Sequence, residues 1–149
     1  MPTAVEYIMT IEGITTDPIS TPFESYSFGA ASSGSLSSGS GAGAGKVNFN
    51  PFSITRKIDR ASPVLFKACV TGQYIKKVTL ELRPAIQKGT VPSLLVVTLM
   101  GVFVVTVREG GNVHGDIVPM EEISFEFRSF QMTVEGISLG YDLGLGKVI

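Results

Sequence analysis

The stretch Leu94 to Val107 is apolar on both of its alternating faces, and no other feature constrains the chain as strongly. Its odd positions offer Leu95, Val97, Leu99, Phe103, Val105 and Val107, and its even positions Leu94, Val96, Met100, Val102 and Val104. The run is interrupted by Thr98, Gly101 and Thr106 and falls short of the roughly 20 residues of a membrane-spanning helix. Its valines favour a buried strand. In a small antiparallel fold one strand face points into the core, so the second needs a helix or another subunit to cover it. Oligomerisation is therefore expected, with Val96, Val102 and Val104 as the candidate subunit interface.

Other segments alternate more simply. Val5, Tyr7, Met9 and Ile11 share one face, with Glu6, Thr10 and Glu12 on the other, which predicts a half-buried strand. Val78, Leu80 and Leu82 repeat the pattern against Lys77, Thr79, Glu81 and Arg83, and Pro84 ends it. Between Glu122 and Val134 the apolar phase runs Ile123, Phe125, Phe127 and then shifts to Phe130, Met132, Val134. A bulge near Arg128 and Ser129 is expected to re-aim that strand. Only one helix is punctuated: Ser62 as cap, Pro63 in the first turn, Val64 to Thr71 as the body and Gly72 as the left-handed exit. Its buried stripe would be Val64, Leu65, Ala68 and Cys69. One short helix among about seven or eight strands points to a closed barrel or a sandwich. The 149 residues suit one domain with its own core.

From Gly29 to Gly45 every residue but Leu36 is Gly, Ala or Ser, a composition that cannot build a core. Either a flexible hairpin connection or a long arm ordered by a neighbour fits; loops of this length inside compact domains are usually functional or disordered. Leu36 would be the arm's apolar anchor.

Charge names no partner. Twelve Lys and Arg balance thirteen Asp and Glu, so no strong field draws nucleic acid, an acidic membrane or an anionic substrate. One cysteine, Cys69, cannot form an internal bridge, and it and the single His114 are too few for a zinc site. Cys69 reads as a small packed hydrophobe and His114 as part of an exposed turn. Met1 to Thr10 has no basic leader before an apolar stretch, so synthesis in the cytoplasm without a signal peptide is expected.

Catalytic motifs fail on their context. Gly136-Ile137-Ser138-Leu139-Gly140 matches a nucleophile elbow, but no helix pattern and no later histidine follow. In the glycine-rich segment before Lys46, Ser40 stands where a phosphate-binding loop needs its first glycine, and Val47 where it needs a hydroxyl. Glu121 and Glu122, at the start of a strand, read as solvated charges. No cofactor and no metal are expected.

The succession of segments resembles a known family. Tyr26-Ser27-Phe28-Gly29, the Gly/Ser/Ala arm to Gly45-Lys46-Val47-Asn48, Phe52-Ser53-Ile54-Thr55-Arg56-Lys57-Ile58-Asp59, Ala61-Ser62-Pro63-Val64-Leu65, Ala68-Cys69 and Gly72 are similar in order and spacing to the hemolysin-coregulated protein (Hcp) family. Val78 to Arg83, Val96 to Leu99 and Glu122 to Phe127 continue the likeness. Tyr26 and Phe28 stand where several members carry tryptophan, and the chain stops at Ile149 where many have a longer tail.

The resemblance implies a mainly β fold: a compact β-barrel with one short α-helix and a long extended hairpin loop. It implies a non-enzymatic subunit of the type VI secretion tube, a homo-hexamer whose rings stack, carry effectors in the lumen, work with spike and sheath proteins, and are exported by that system without inserting in a membrane. The arm would then be a ring-stacking loop, with Gly29, Ser33, Leu36, Ser40, Gly45 and Lys46 along it. Ser25 and Ser27, alternating against Tyr26 and Phe28, are candidates for the lumen face by strand parity. The competing readings are a small barrel that binds a ligand in its interior, and a hydrolase built on Ser138.

Overall fold

The computed structural model describes residues 5–32, 47–84, 93–114 and 118–149. The alternating segments become antiparallel strands: β1 (Val5–Glu12), β2 (Ile19–Phe23), β3 (Ser25–Ser27), β4 (Ala30–Ser32), β5 (Val47–Phe49), β6 (Phe52–Lys57), β7 (Ile75–Pro84), β8 (Leu95–Gly110), β9 (Met120–Val134), β10 (Ile137–Asp142) and β11 (Lys147–Val148). One helix, α1 (Ala61–Thr71), lies between β6 and β7 and packs against β8. The main sheet runs β11-β10-β9-β8-β7-β1-β2, and β4 and β5 form a separate pair. Strand β9 is long enough to take two neighbours on one side, β6 along Met120–Phe125 and β10 along Ser129–Val134, while β8 follows its other side.

The mainly β class with one helix agrees with the sequence. The ladder, however, is an open path among the described residues and not a closed barrel. Strand β2 pairs with β1 and β3 pairs with β6, and the chain steps from one ladder to the other at Glu24, whose N–H donates to the Thr55 carbonyl at 2.7 Å.

The core gathers Met9 and Ile11 from β1, Phe52 and Ile54 from β6, Leu65 and Ala68 from α1, and Ile123 and Phe125 from β9, all essentially without solvent contact. Helix α1 starts at Ala61 after Arg60, one to two residues ahead of the expected cap at Ser62. The Ser62 hydroxyl is drawn into buried polar contacts instead, and the Asp59 carboxylate accepts the Ala61 N–H at 2.8 Å. Gly72 takes the expected left-handed exit with φ 63°.

Strand β8 explains its own two-faced sequence. Its buried residues are Val97 and Leu99, then Val102 and Val104, so the inward parity changes from odd to even at Gly101, which has φ +64°. A register shift between Val104 and Thr106 changes it back, leaving Val107 opposite the core residue Ile123. Strand β9 changes parity beside Gly101, from Phe127 to Phe130, but the bulge expected near Arg128 and Ser129 is not there: Met100 opposite Ser129 and Val102 opposite Phe127 keep one register, and the bulge lies in β8 between Val104 and Thr106. Hence Val102 and Val104 belong to the chain's own core, at 0% and 3% exposure, and their assignment to a subunit interface is corrected; Val96 is half-buried. The outward apolar residues of β8 are Met100, Phe103 and Val105.

Candidate functional site

Hydroxyl side chains line the outward face of β3, β6 and β9. Tyr26, Ile54 and Ile123 sit in register on one side of these strands, so their neighbours Ser25, Ser27, Ser53, Thr55 and Ser124 fall on the other. Ser27 stands opposite Ser53, Ser53 opposite Ser124, and Ser124 opposite Thr106 of β8, a row crossing four strands. Side-chain hydrogen bonds tie it together: Ser25 to Thr55 at 2.6 Å and Ser53 to Ser124 at 2.9 Å. The two sequence-chosen residues Ser25 and Ser27 are thus exposed members of a larger hydroxyl surface, bordered on β9 by the exposed carboxylates Glu122, opposite Thr55, and Glu126.

Next to this row β8 presents Phe103 and Val105, about two-fifths exposed at 40% and 41%, and further along Met100 at 46%. Tyr74, after the helix, sets its ring against Phe103 with centroids 5.8 Å apart. Large side chains held half out of water on a rigid strand are material for contact with another protein surface.

Beneath the hydroxyl face lies a buried charged cluster that the sequence did not reveal. Arg56 of β6 is fully buried, and its Nη1 donates to Glu121 Oε2, also fully buried, and to the Ser62 hydroxyl at 3.2 Å. Its Nη2 donates to Thr21 at 2.8 Å and pairs with Asp59. Ser62 donates to the same Glu121 oxygen at 3.1 Å, and Thr21 donates to Asp59. Burial alone would raise the Asp59 pKa, but the hydrogen bonds from Thr21, Arg56 and the Ala61 N–H, with the guanidinium charge, outweigh it and hold it below 3.8. Glu121 was read as a solvated charge, and this is corrected. Its parity with Ile123, Phe125 and Phe127, like that of Arg56 with Phe52 and Ile54, was the signal that both point inward.

Of the arm, Gly29 is half-buried and its carbonyl accepts the Asn50 N–H at 2.9 Å, while β4 and β5 pair on either side of the arm's remainder. Ser33, Leu36, Ser40, Gly45 and Lys46 lie outside the described residues. The apparent nucleophile elbow is the hairpin between β9 and β10: Glu135 and Gly136 make the turn, and the Ser138 hydroxyl shares a 2.8 Å hydrogen bond with Thr133. A strand–turn–strand unit lacks the helix that such an elbow needs. Exposed His114 bonds through its backbone N–H to Asn112 Oδ1 at 2.8 Å, as a turn residue does. Cys69 is half-buried on α1.

Similarity to known proteins agrees with this architecture along nearly its whole length. Over 98% of the chain the structure resembles the crystal structure of Hcp1 from Salmonella typhimurium, covering 99% of that chain with a TM-score of 0.79 and 27% sequence identity. A structure described as a type six secretion system protein has the same fold, with a TM-score of 0.81 at 21% identity, over 98% of this chain and all of that one. Protein Hcp1 of Pseudomonas aeruginosa is 35% identical over 87 residues, which is 58% of this chain and 52% of that relative, so the match spans about half its length. Residues 15–134 match the family described as "Type VI secretion system effector, Hcp", and the chain accordingly belongs to the Hcp family of type VI secretion.

Proposed function

We propose that this chain is a structural subunit of the type VI secretion inner tube, a single domain that closes laterally with five copies of itself into a ring and stacks ring upon ring. The observation that carries this reading is the family match over residues 15–134. Likeness in fold to Hcp1 of Salmonella typhimurium across 99% of that chain supports it. In this reading the subunit works by surface complementarity and not by catalysis, and it is made in the cytoplasm and leaves through the secretion system with spike, sheath and effector partners.

The outward apolar residues Phe103, Val105 and Met100 join Val96 as the lateral contact and take over the role first given to Val102 and Val104. The hydroxyl surface around Ser25 and Ser27 faces the lumen, where it offers cargo proteins weak hydrogen bonding beside the outward carboxylates of Glu122 and Glu126. The sheet acts as a barrel, with the step at Glu24 as its seam. The arm from Gly29 through Leu36 to Lys46 reaches the next ring. A ligand-binding barrel is disfavoured because Met9, Phe52, Leu99 and Phe125 fill the interior.

Negative-stain imaging of the purified protein tests the reading, with six-fold rings expected and monomers alone overturning it. Deleting residues 34–43 is expected to preserve single rings and weaken stacking, since that stretch has little apolar surface to bury. An insoluble product would contradict its role as an arm.

A further inference from the structure

One row of side chains crosses β6, β9 and β8 at the mouth of the sheet. Arg56 stands opposite Glu121, and Glu121 stands opposite Glu109. The register shift after Val104 puts Glu109 on the same parity as Val107, so it lies on the same side of the sheet as the buried pair, at its solvent-exposed end. Directly opposed carboxylates on neighbouring strands repel. Arg56 does not relieve this fully, because its charge is shared between Glu121 and Asp59. Glu121 Oε2 receives both Arg56 and Ser62, whereas its Oε1 is buried with no hydrogen-bond partner among the described residues. A proton on Glu109 converts the opposition into a carboxyl–carboxylate hydrogen bond.

We propose that Glu109 and Glu121 form a proton-operated latch at the root of the β8–β9 hairpin. With Glu109 protonated, the hairpin end is drawn onto β6 and the start of α1; with both groups ionised, it loosens. The consequence reaches the adjoining turn, because the Ile58 N–H donates to the Pro119 carbonyl at 3.0 Å and ties the returning strand to the segment that leads into α1.

The surrounding charges favour Glu109 as the group that moves. On β8 and β9 the next pair, Arg108 and Glu122, faces outward with 3.9 Å between Nε and Oε1. From β6 come Arg56, committed to the buried pair, and exposed Lys57 opposite Met120; ahead of α1 stand Asp59, held by Thr21 and Arg56, and exposed Arg60. His114 lies in the exposed hairpin turn. The hydrogen bond to Glu121, then burial and the charge of Glu121, push Glu109 up to about 7, against a smaller lowering by Arg56. A carboxyl raised above its ordinary 4.5 gives stability present in full below that value and lost as pH rises through about 7.

Carbon-13 NMR of the glutamate carboxyls in the full-length protein, with hydrogen exchange of the Ile58 amide corrected for intrinsic rate, tests the latch. Glu109 is expected to titrate near neutrality, and Ile58 protection to fall roughly three- to tenfold between pH about 6 and about 8. Glu109→Gln, which keeps a donor but cannot ionise, is expected to hold protection constant over that range, while Glu122→Gln leaves the wild-type pH dependence in place. Titration of Glu109 near 4.5, flat protection in the wild type, or an unchanged pH dependence in Glu109→Gln would each overturn the proposal.

Discussion

Arg56 and Glu121, 65 positions apart, form an ion pair in which neither side chain reaches solvent. Desolvating two charges is expensive, and breaking such a pair by removing one partner costs about 3–5 kcal/mol because the other stays buried and uncompensated. Arg56→Met is expected to lower the stability measured by urea denaturation by that amount. The double variant Arg56→Met with Glu121→Leu is expected to recover most of the loss. Equal destabilisation of single and double variants would show that the pair's charge is not what matters.

The acid limb of stability has a separate owner. Asp59, with its pKa held below 3.8, stabilises the fold above that value and ceases to do so as pH falls through its lowered pKa. Urea midpoints followed from pH about 5 to about 2 are expected to drop in the wild type and to drop less in Asp59→Asn. Because Asp59 also accepts the Ala61 N–H, the variant is expected to be somewhat less stable at neutral pH too.

Gly101 is a backbone requirement. A β-carbon there would meet the Arg128 Cβ at 3.1 Å, and its φ of +64° is one that side chains resist at about 1–2 kcal/mol. Gly146, at φ +69° with nothing nearby, carries only the second penalty. Thermal unfolding of Gly101→Ala and Gly146→Ala is therefore expected to show the larger loss at Gly101, and the difference measures the close approach to Arg128.

Two neighbouring residues of β8 are expected to part company under the same substitution. Phe103→Glu places a charge at a site already 40% exposed, and is expected to cost about 1 kcal/mol of stability while reducing self-association in sedimentation velocity. Val104→Glu buries an unpaired carboxylate at 3% exposure and is expected to prevent folding. Unaltered assembly by Phe103→Glu would remove β8 from the lateral contact.

How far the sequence could be read depended on whether the relevant cause was local. The alternation of β1 and β7, the parity change near Arg128 and the Gly72 helix exit depend on a few adjacent residues, and all were legible. Strand β8 misled because two apolar parities look like two buried faces, whereas the structure uses one face at a time and switches at Gly101 and again after Val104. Glycine inside the strand was the available clue. The Arg56–Glu121 pair escaped because each charge is explained only by the other, and the pairing of β6 with β9 joins segments distant in sequence. Ser25 and Ser27, candidates for the lumen face by strand parity, are exposed, but the partners that extend their surface, Thr55, Ser53 and Ser124, come from two other strands and could not be read from the sequence.

The matched crossover of the two longest strands also bears on how the chain finds its native alignment. Gly101 lies between Met100, which pairs with Ser129, and Val102, which pairs with Phe127. A slip of one or two positions would set the left-handed glycine against a stretch of β9 that does not change sides, leaving Phe127 or Phe130 turned toward water. Mispaired hairpins thus penalise themselves, and the ladder works like a notched key, seating at one offset before the rest of the sheet is added.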